Sequence, residues 1–130
     1  MILGIGIDLC AVARMENSLQ KPAFAARVFA PQEQAFWQDF SDKRRAESAA
    51  AAFAAKEAFL KAAGTGLGGF ALAELAVLHK PSGAPYFCFF GDAALFIEQN
   101  HLTAHLSLTH DGGLAAAYVI LEQNSAGTCD

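Results

Sequence analysis

From Ala46 to Gly64 the chain reads AESAAAAFAAKEAFLKAAG, with no glycine or proline before its last residue. Alanine is the strongest helix former, because it gives up no side-chain entropy on entering a helix. The run Lys43-Arg44-Arg45 leads into this segment, and Gly64 is a natural stop. One long, mostly buried helix is therefore expected. Between Ser48 and Ala63 it carries only Lys56, Glu57 and Lys61 as charges. Glu57 and Lys61 are four apart and share a face. On a solvated helix such a pair is an ordinary salt bridge worth about 0.2–0.5 kcal/mol. On a buried helix solvation does not explain it, and both residues become candidates for chemistry.

The other unusual carboxylate lies near the N-terminus, in GIGIDLCAVARME from Gly4 to Glu16. Ile2 to Leu9 reads as a buried strand. Leu3, Ile5 and Ile7 point one way, and Gly4, Gly6 and Asp8 the other. Glycine inside a strand marks the close approach of another backbone or of a ligand. The face that ends in Asp8 reads as one kept open.

The rest of the chain fits one compact α+β domain over residues 1–122, with mostly antiparallel strands and a polar tail at 123–130. Val12 to Gln20 suits a short helix. Pro22 and Pro31 each suit a first helical position, the second segment reaching Phe40. Leu75 to His79 and Tyr86 to Phe90 read as strands joined by KPSGAP, and Asp92 as the cap of a helix through Asn100. TAHLSLTH alternates as a strand does. DGG at 111–113 then signals a hairpin into LAAAYVIL, which is apolar on both faces.

Composition narrows the function classes. Hydrophobic residues make up 54% of the 130, too many for a disordered chain. No apolar run is long enough for a membrane span, and no basic region precedes the first apolar stretch as in a signal peptide. Cys10, Cys88 and Cys129 lack metal-site or disulfide spacing, so reduced thiols in a cytoplasmic protein are expected. A net charge of −4 argues against nucleic-acid binding. Yet Leu9 to Ala30 carries Arg14, Lys21 and Arg27 against Glu16 alone, a patch that suits an acidic partner.

GTGLGG, Gly64 to Gly69, matches GxGxxG, but a helix precedes it where a dinucleotide fold needs a strand. It is either a simple cap and connection or a nest of N–H groups facing a phosphate. The histidines lack ligand spacing: His105 and His110 face opposite sides of one strand. Two carboxylates without a His/Cys set suit a hard cation, and Mg²⁺ is typically held by one or two carboxylates plus substrate phosphates. Asp8, Glu57, Lys61 and the glycine turn thus point to phosphoryl-type transfer or nucleotide binding.

GIGIDLCAVARME, FAAKEAFLKAAGTG and LSLTHDGGLAAAYVI resemble, in order and spacing, the three signatures of the holo-[acyl-carrier-protein] synthases, small bacterial 4′-phosphopantetheinyl transferases. RVFAPQE and SGAPYF resemble the segments between them, so the likeness covers nearly all of residues 2–121. It implies a 4′-phosphopantetheinyl transferase-like fold, with a mostly antiparallel sheet packed on a long central helix. It implies transfer of 4′-phosphopantetheine from coenzyme A to a serine of apo acyl carrier protein, in support of fatty acid biosynthesis. It implies Mg²⁺ on Asp8 and Glu57, with Lys61 near the phosphates. Gly64, Gly66, Pro85, Thr109 and His110 would contact coenzyme A, and Arg14 and Lys21 the carrier. It also implies a homotrimer with sites between subunits. Two departures stand out: Ala52 occupies a position where the family often has arginine, and Thr109 one where it usually has serine. The group that takes the serine proton is left open among a metal-organised water, Glu57 and a carboxylate of the carrier. A non-catalytic homologue that binds coenzyme A or the carrier, and a structural subunit, are the alternatives.

Overall fold

The computed structural model describes residues 1–66 and 69–125. Strand β1 (Ile2–Ala11) runs without a loop into helix α1 (Val12–Ser18), then α2 (Pro22–Val28), α3 (Pro31–Phe36) and the long α4 (Asp42–Ala63). A 3₁₀ turn (Leu72–Glu74) leads to β2 (Leu75–His79) and β3 (Pro85–Phe89), followed by α5 (Gly91–Gln99), β4 (Leu102–Asp111) and β5 (Leu114–Gln123). One antiparallel sheet has the order β1-β5-β4; β2 and β3 form a second, two-stranded one.

Helix α4 begins earlier than its alanine content suggests. Ser41 Oγ accepts from the Arg44 N–H at 3.2 Å, so the basic run lies inside the first turns. Gly64 ends the helix as expected, with φ of 77°. Alanines line α4 on nearly every side, and Ala49, Ala50, Ala54, Ala55 and Ala58 are fully buried. Small side chains let a helix approach its neighbours closely, and here the approach is extreme. A Cβ on Gly4 would collide with the Ala62 carbonyl, and one on Gly6 with the Ala58 carbonyl. The glycine face of β1 is therefore not open to a ligand, as the strand pattern suggests, but closed by the backbone of α4. The apolar residues of β1 are the exposed ones: Ile5 is 59% and Ile7 63% accessible.

Asp92 is not the cap of α5. Phe90 holds that position, and Glu74 supplies the acceptor from outside, taking the Ala93 N–H at 3.4 Å. Asp92 sits in the first turn, where a negative charge suits the helix dipole. Gly112 and Gly113, both at positive φ, form the two-residue turn of the β4–β5 hairpin. β5 runs through Gln123, whose N–H donates to Met1 O at 2.7 Å, so pairing extends past residue 122. Among the described residues no helix is long and apolar enough to cross a membrane.

Candidate active site at the edge of the large sheet

α4 runs antiparallel to β1, with Ala62 over Gly4 and Ala58 over Gly6. Glu57 and Lys61 each precede one of these contact alanines, so both flank the strand. Helical side chains lean toward the helix N-terminus, which here is the direction of Asp8. Lys61 accordingly reaches along the strand. Its Nζ donates to Asp8 Oδ1 and to Ile7 O, both at 2.9 Å. The Asp8 side chain is 21% exposed and that of Lys61 55%, which leaves the pair accessible at a sheet edge.

Glu57 completes the group. Its carboxyl is pushed above the usual range, first by burial and then by the Asp8 carboxylate, while Lys61 pulls it down. Two carboxylates that repel across one cation form an arrangement that a divalent ion relieves. Among the described residues there is no cluster of three or more His, Cys, Asp or Glu suited to hold a metal. The donor set fits a hard cation that takes its remaining oxygens from substrate and water.

Cys10, also on the inner face of β1, is buried beside this group. Burial pushes its thiol up, against the pull of Arg14. Arg14, Lys21 and Arg27 are exposed, and among the described residues none forms an ion pair.

The remaining candidates lie elsewhere. Thr109 and His110 are on β4, the opposite edge of the sheet from Asp8. Two strand spacings separate β4 from β1, about 10 Å. Thr109 and His110 line a cavity of about 360 Å³ with Arg44, Ser48 and His79. Pro85 opens β3 opposite His79, which lines an adjoining hollow with Lys80 and Gly83. Gly64 and Gly66, both at positive φ, continue from α4; Gly68 lies outside the described residues. Within one chain, then, Asp8, Glu57 and Lys61 meet, and Thr109 and His110 do not join them.

The structure separates the two arginines of the basic run. Arg45 is occupied, donating to the carbonyls of Trp37, Gln38 and Phe40 and to Asp42. Arg44 stacks over Phe40 at 3.8 Å and faces the Thr109–His110 cavity. His79, which has no ligand spacing in the sequence, stacks on Phe36 at 4.5 Å; its Nδ1 is buried without a partner among the described residues, and burial pushes its pKa down.

A family model described as the 4′-phosphopantetheinyl transferase superfamily matches residues 4–119, and the chain belongs to that superfamily. Within it, the similar proteins are holo-[acyl-carrier-protein] synthases. That of Trichlorobacter lovleyi is 48% identical, over 94% of this chain and 98% of its own. That of Treponema denticola is 43% identical, over 94% and 99%. Among solved structures, the Bacillus anthracis synthase in complex with CoA (3′,5′-ADP) superposes with a TM-score of 0.82 at 32% identity, covering 95% of this chain and 99% of that one.

Proposed function

We infer that this chain transfers 4′-phosphopantetheine from coenzyme A to a serine of an apo acyl carrier protein and releases adenosine 3′,5′-bisphosphate, a step that supports fatty acid biosynthesis in the cytoplasm. The observation that carries this reading is the meeting of Asp8, Glu57 and Lys61 at the β1–α4 contact, in a chain of this superfamily. The serine oxygen forms a bond to the β-phosphorus of coenzyme A and gives up its proton, to a metal-organised water, to Glu57 or to a carboxylate of the carrier. The bond from that phosphorus to the bridging oxygen breaks, and the electron pair leaves on the α-phosphate.

Asp8 and Glu57 would hold Mg²⁺. Bound there, the ion neutralises the pyrophosphate and stabilises charge on the leaving phosphate. Lys61 supplies a second positive charge at the same place, and its bond to Ile7 O aims it. The turn at Gly64 and Gly66, the cavity at Thr109 and His110, and Pro85 of the neighbouring β3 bind the rest of coenzyme A. Arg44 stands in for the arginine absent at Ala52, since it faces that cavity while Arg45 is committed to α3 and its exit.

A homotrimer accounts for two features together. The outer face of the sheet exposes Ile5, Ile7, Leu9 and Tyr118, a larger apolar surface than a soluble monomer usually shows. In a trimer with sites between subunits, a second chain's Thr109 and His110 would complete the site at the first chain's Asp8. Arg14 and Lys21, exposed just beyond β1, meet the acidic carrier.

The test is mass spectrometry of apo carrier incubated with the protein, coenzyme A and Mg²⁺. A gain of one phosphopantetheine is expected, abolished by EDTA and restored by Mg²⁺ or Mn²⁺. Binding of coenzyme A without any mass gain would favour a non-catalytic homologue instead.

A further inference from the structure

The cavity at Thr109 and His110 has a carboxylate in its wall that the chemistry above does not use. Glu47 lines it together with Arg44, Ser48 and His79. Glu47 follows Arg44 by three residues on α4, close enough for opposite charges to pair. They do not pair. Among the described residues the Glu47 carboxylate has no ion pair and accepts no hydrogen bond, while Arg44 lies over the Phe40 ring. Glu47 is half-buried, so its carboxylate is only partly hydrated, and a ligand that donates to it would restore what hydration is missing.

The wall narrows the chemistry of that ligand. A cation and a carboxylate that are not bonded to each other suit a molecule with an anion and a separate hydrogen-bond donor. His79 adds a ring to the same wall, with Phe36 stacked on it and the two planes 12° apart, which offers flat aromatic surface as well. Coenzyme A has two arms. The pantetheine arm is uncharged and has no anion for Arg44. The 3′-phosphoadenosine arm has a phosphate, a flat base and one donor on that base, the 6-amino group. It answers all three features of the wall.

We propose that Glu47 is a specificity-determining residue for coenzyme A, accepting a hydrogen bond from the adenine 6-amino group while Arg44 meets the 3′-phosphate. The inference rests on the reading of this cavity as a coenzyme A contact. The charge of Glu47 adds no general attraction, since it repels the phosphate that Arg44 draws in. Its effect is discrimination: a purine without the amino group leaves the carboxylate covered and without a donor.

KM is measured by transfer to apo carrier from four donors: coenzyme A, an analogue lacking the 6-amino group, a 2′-deoxyribose analogue and 3′-dephospho-coenzyme A. The proteins are wild type, Glu47→Ala and Arg44→Ala. Both variants add alanine, the best helix former, to an alanine-rich helix, so folding is not at risk. Wild type should show a KM roughly tenfold higher for the deaminated analogue than for coenzyme A, the scale of one charge-assisted hydrogen bond. In Glu47→Ala this ratio should fall to about one, with the ratio for 3′-dephospho-coenzyme A kept at its wild-type value. Arg44→Ala should do the reverse. A merely structural role would raise every KM and leave the ratios alone. A wild type that uses the deaminated analogue as well as coenzyme A, or a ratio that survives in Glu47→Ala, would overturn the proposal. So would discrimination lost against the 2′-deoxyribose analogue instead, which would put Glu47 on the ribose. No transfer from coenzyme A itself by the wild type would overturn the functional reading beneath it.

Discussion

Asp8 and Glu57 sit close enough to repel, and that repulsion makes each measurable. Asp8→Ala should lower kcat/KM at least roughly 100-fold, the scale of losing one preorganised electrostatic contact. Its melting temperature should change little, because Asp8 is at a strand edge. Near-normal turnover would remove Asp8 from the metal site. Glu57 makes a separate prediction without metal. Burial and Asp8 raise its carboxyl above the unfolded value, so the folded state binds more protons in the interval between the two. Stability is then lost as pH rises through the raised value. In EDTA, Glu57→Gln should melt higher than wild type at pH 7. The gain should vanish below the ordinary carboxylate value of about 4.3. An equal gain at both pH values would mean the charge of Glu57 costs the fold nothing.

At the scale of elements, the β1–α4 contact decides where the carboxylates and the lysine go. A methyl group on Gly6 has no space beneath the Ala58 carbonyl, so Gly6→Ala must push the helix outward. A cost of about 1–3 kcal/mol is expected from overpacking, read as a lower urea midpoint, together with a loss of turnover. An unchanged midpoint would show that the contact is looser than described. This contact also marks what the sequence could tell. The long helix, its glycine stop, the DGG hairpin and the odd charges of Asp8, Glu57 and Lys61 were legible, because each is a local pattern of propensity or period. The face on which α4 lies was half legible: the glycines signalled close approach, but not whether of ligand or backbone. The buried pair of Lys56 and Glu33, bonded at 2.8 Å, and the Arg44–His79 cavity were not legible. Their members are far apart in sequence, and only packing brings them together.

For the whole molecule, the exposed outer face of the large sheet is the controlling feature. Ile5 lies outside the hydrophobic core cluster and is 59% accessible. Ile5→Lys should leave the fold intact and convert a trimer to a monomer in sedimentation equilibrium, with loss of turnover as the composite site falls apart. An active monomer of the wild type would refute the assembly. Carrier recognition is a second property at this scale. The protein is acidic overall, at −4, and Arg14 and Lys21 are the proposed point of attraction for an acidic carrier. Arg14→Glu should weaken carrier binding, flatten its dependence on salt and leave coenzyme A binding unchanged. Titrations at two salt concentrations check this, and identical slopes would leave Arg14 no part in docking. Finally, β1 passes into α1 with no intervening loop, and Val12 N is clamped to Gly113 O at 2.9 Å. Asp8 and the proposed carrier contact at Arg14 thus lie on elements joined without a loop. With docking at Arg14 as proposed, no linker between β1 and α1 is there to take up a poor fit, and the adjustment falls to the carrier.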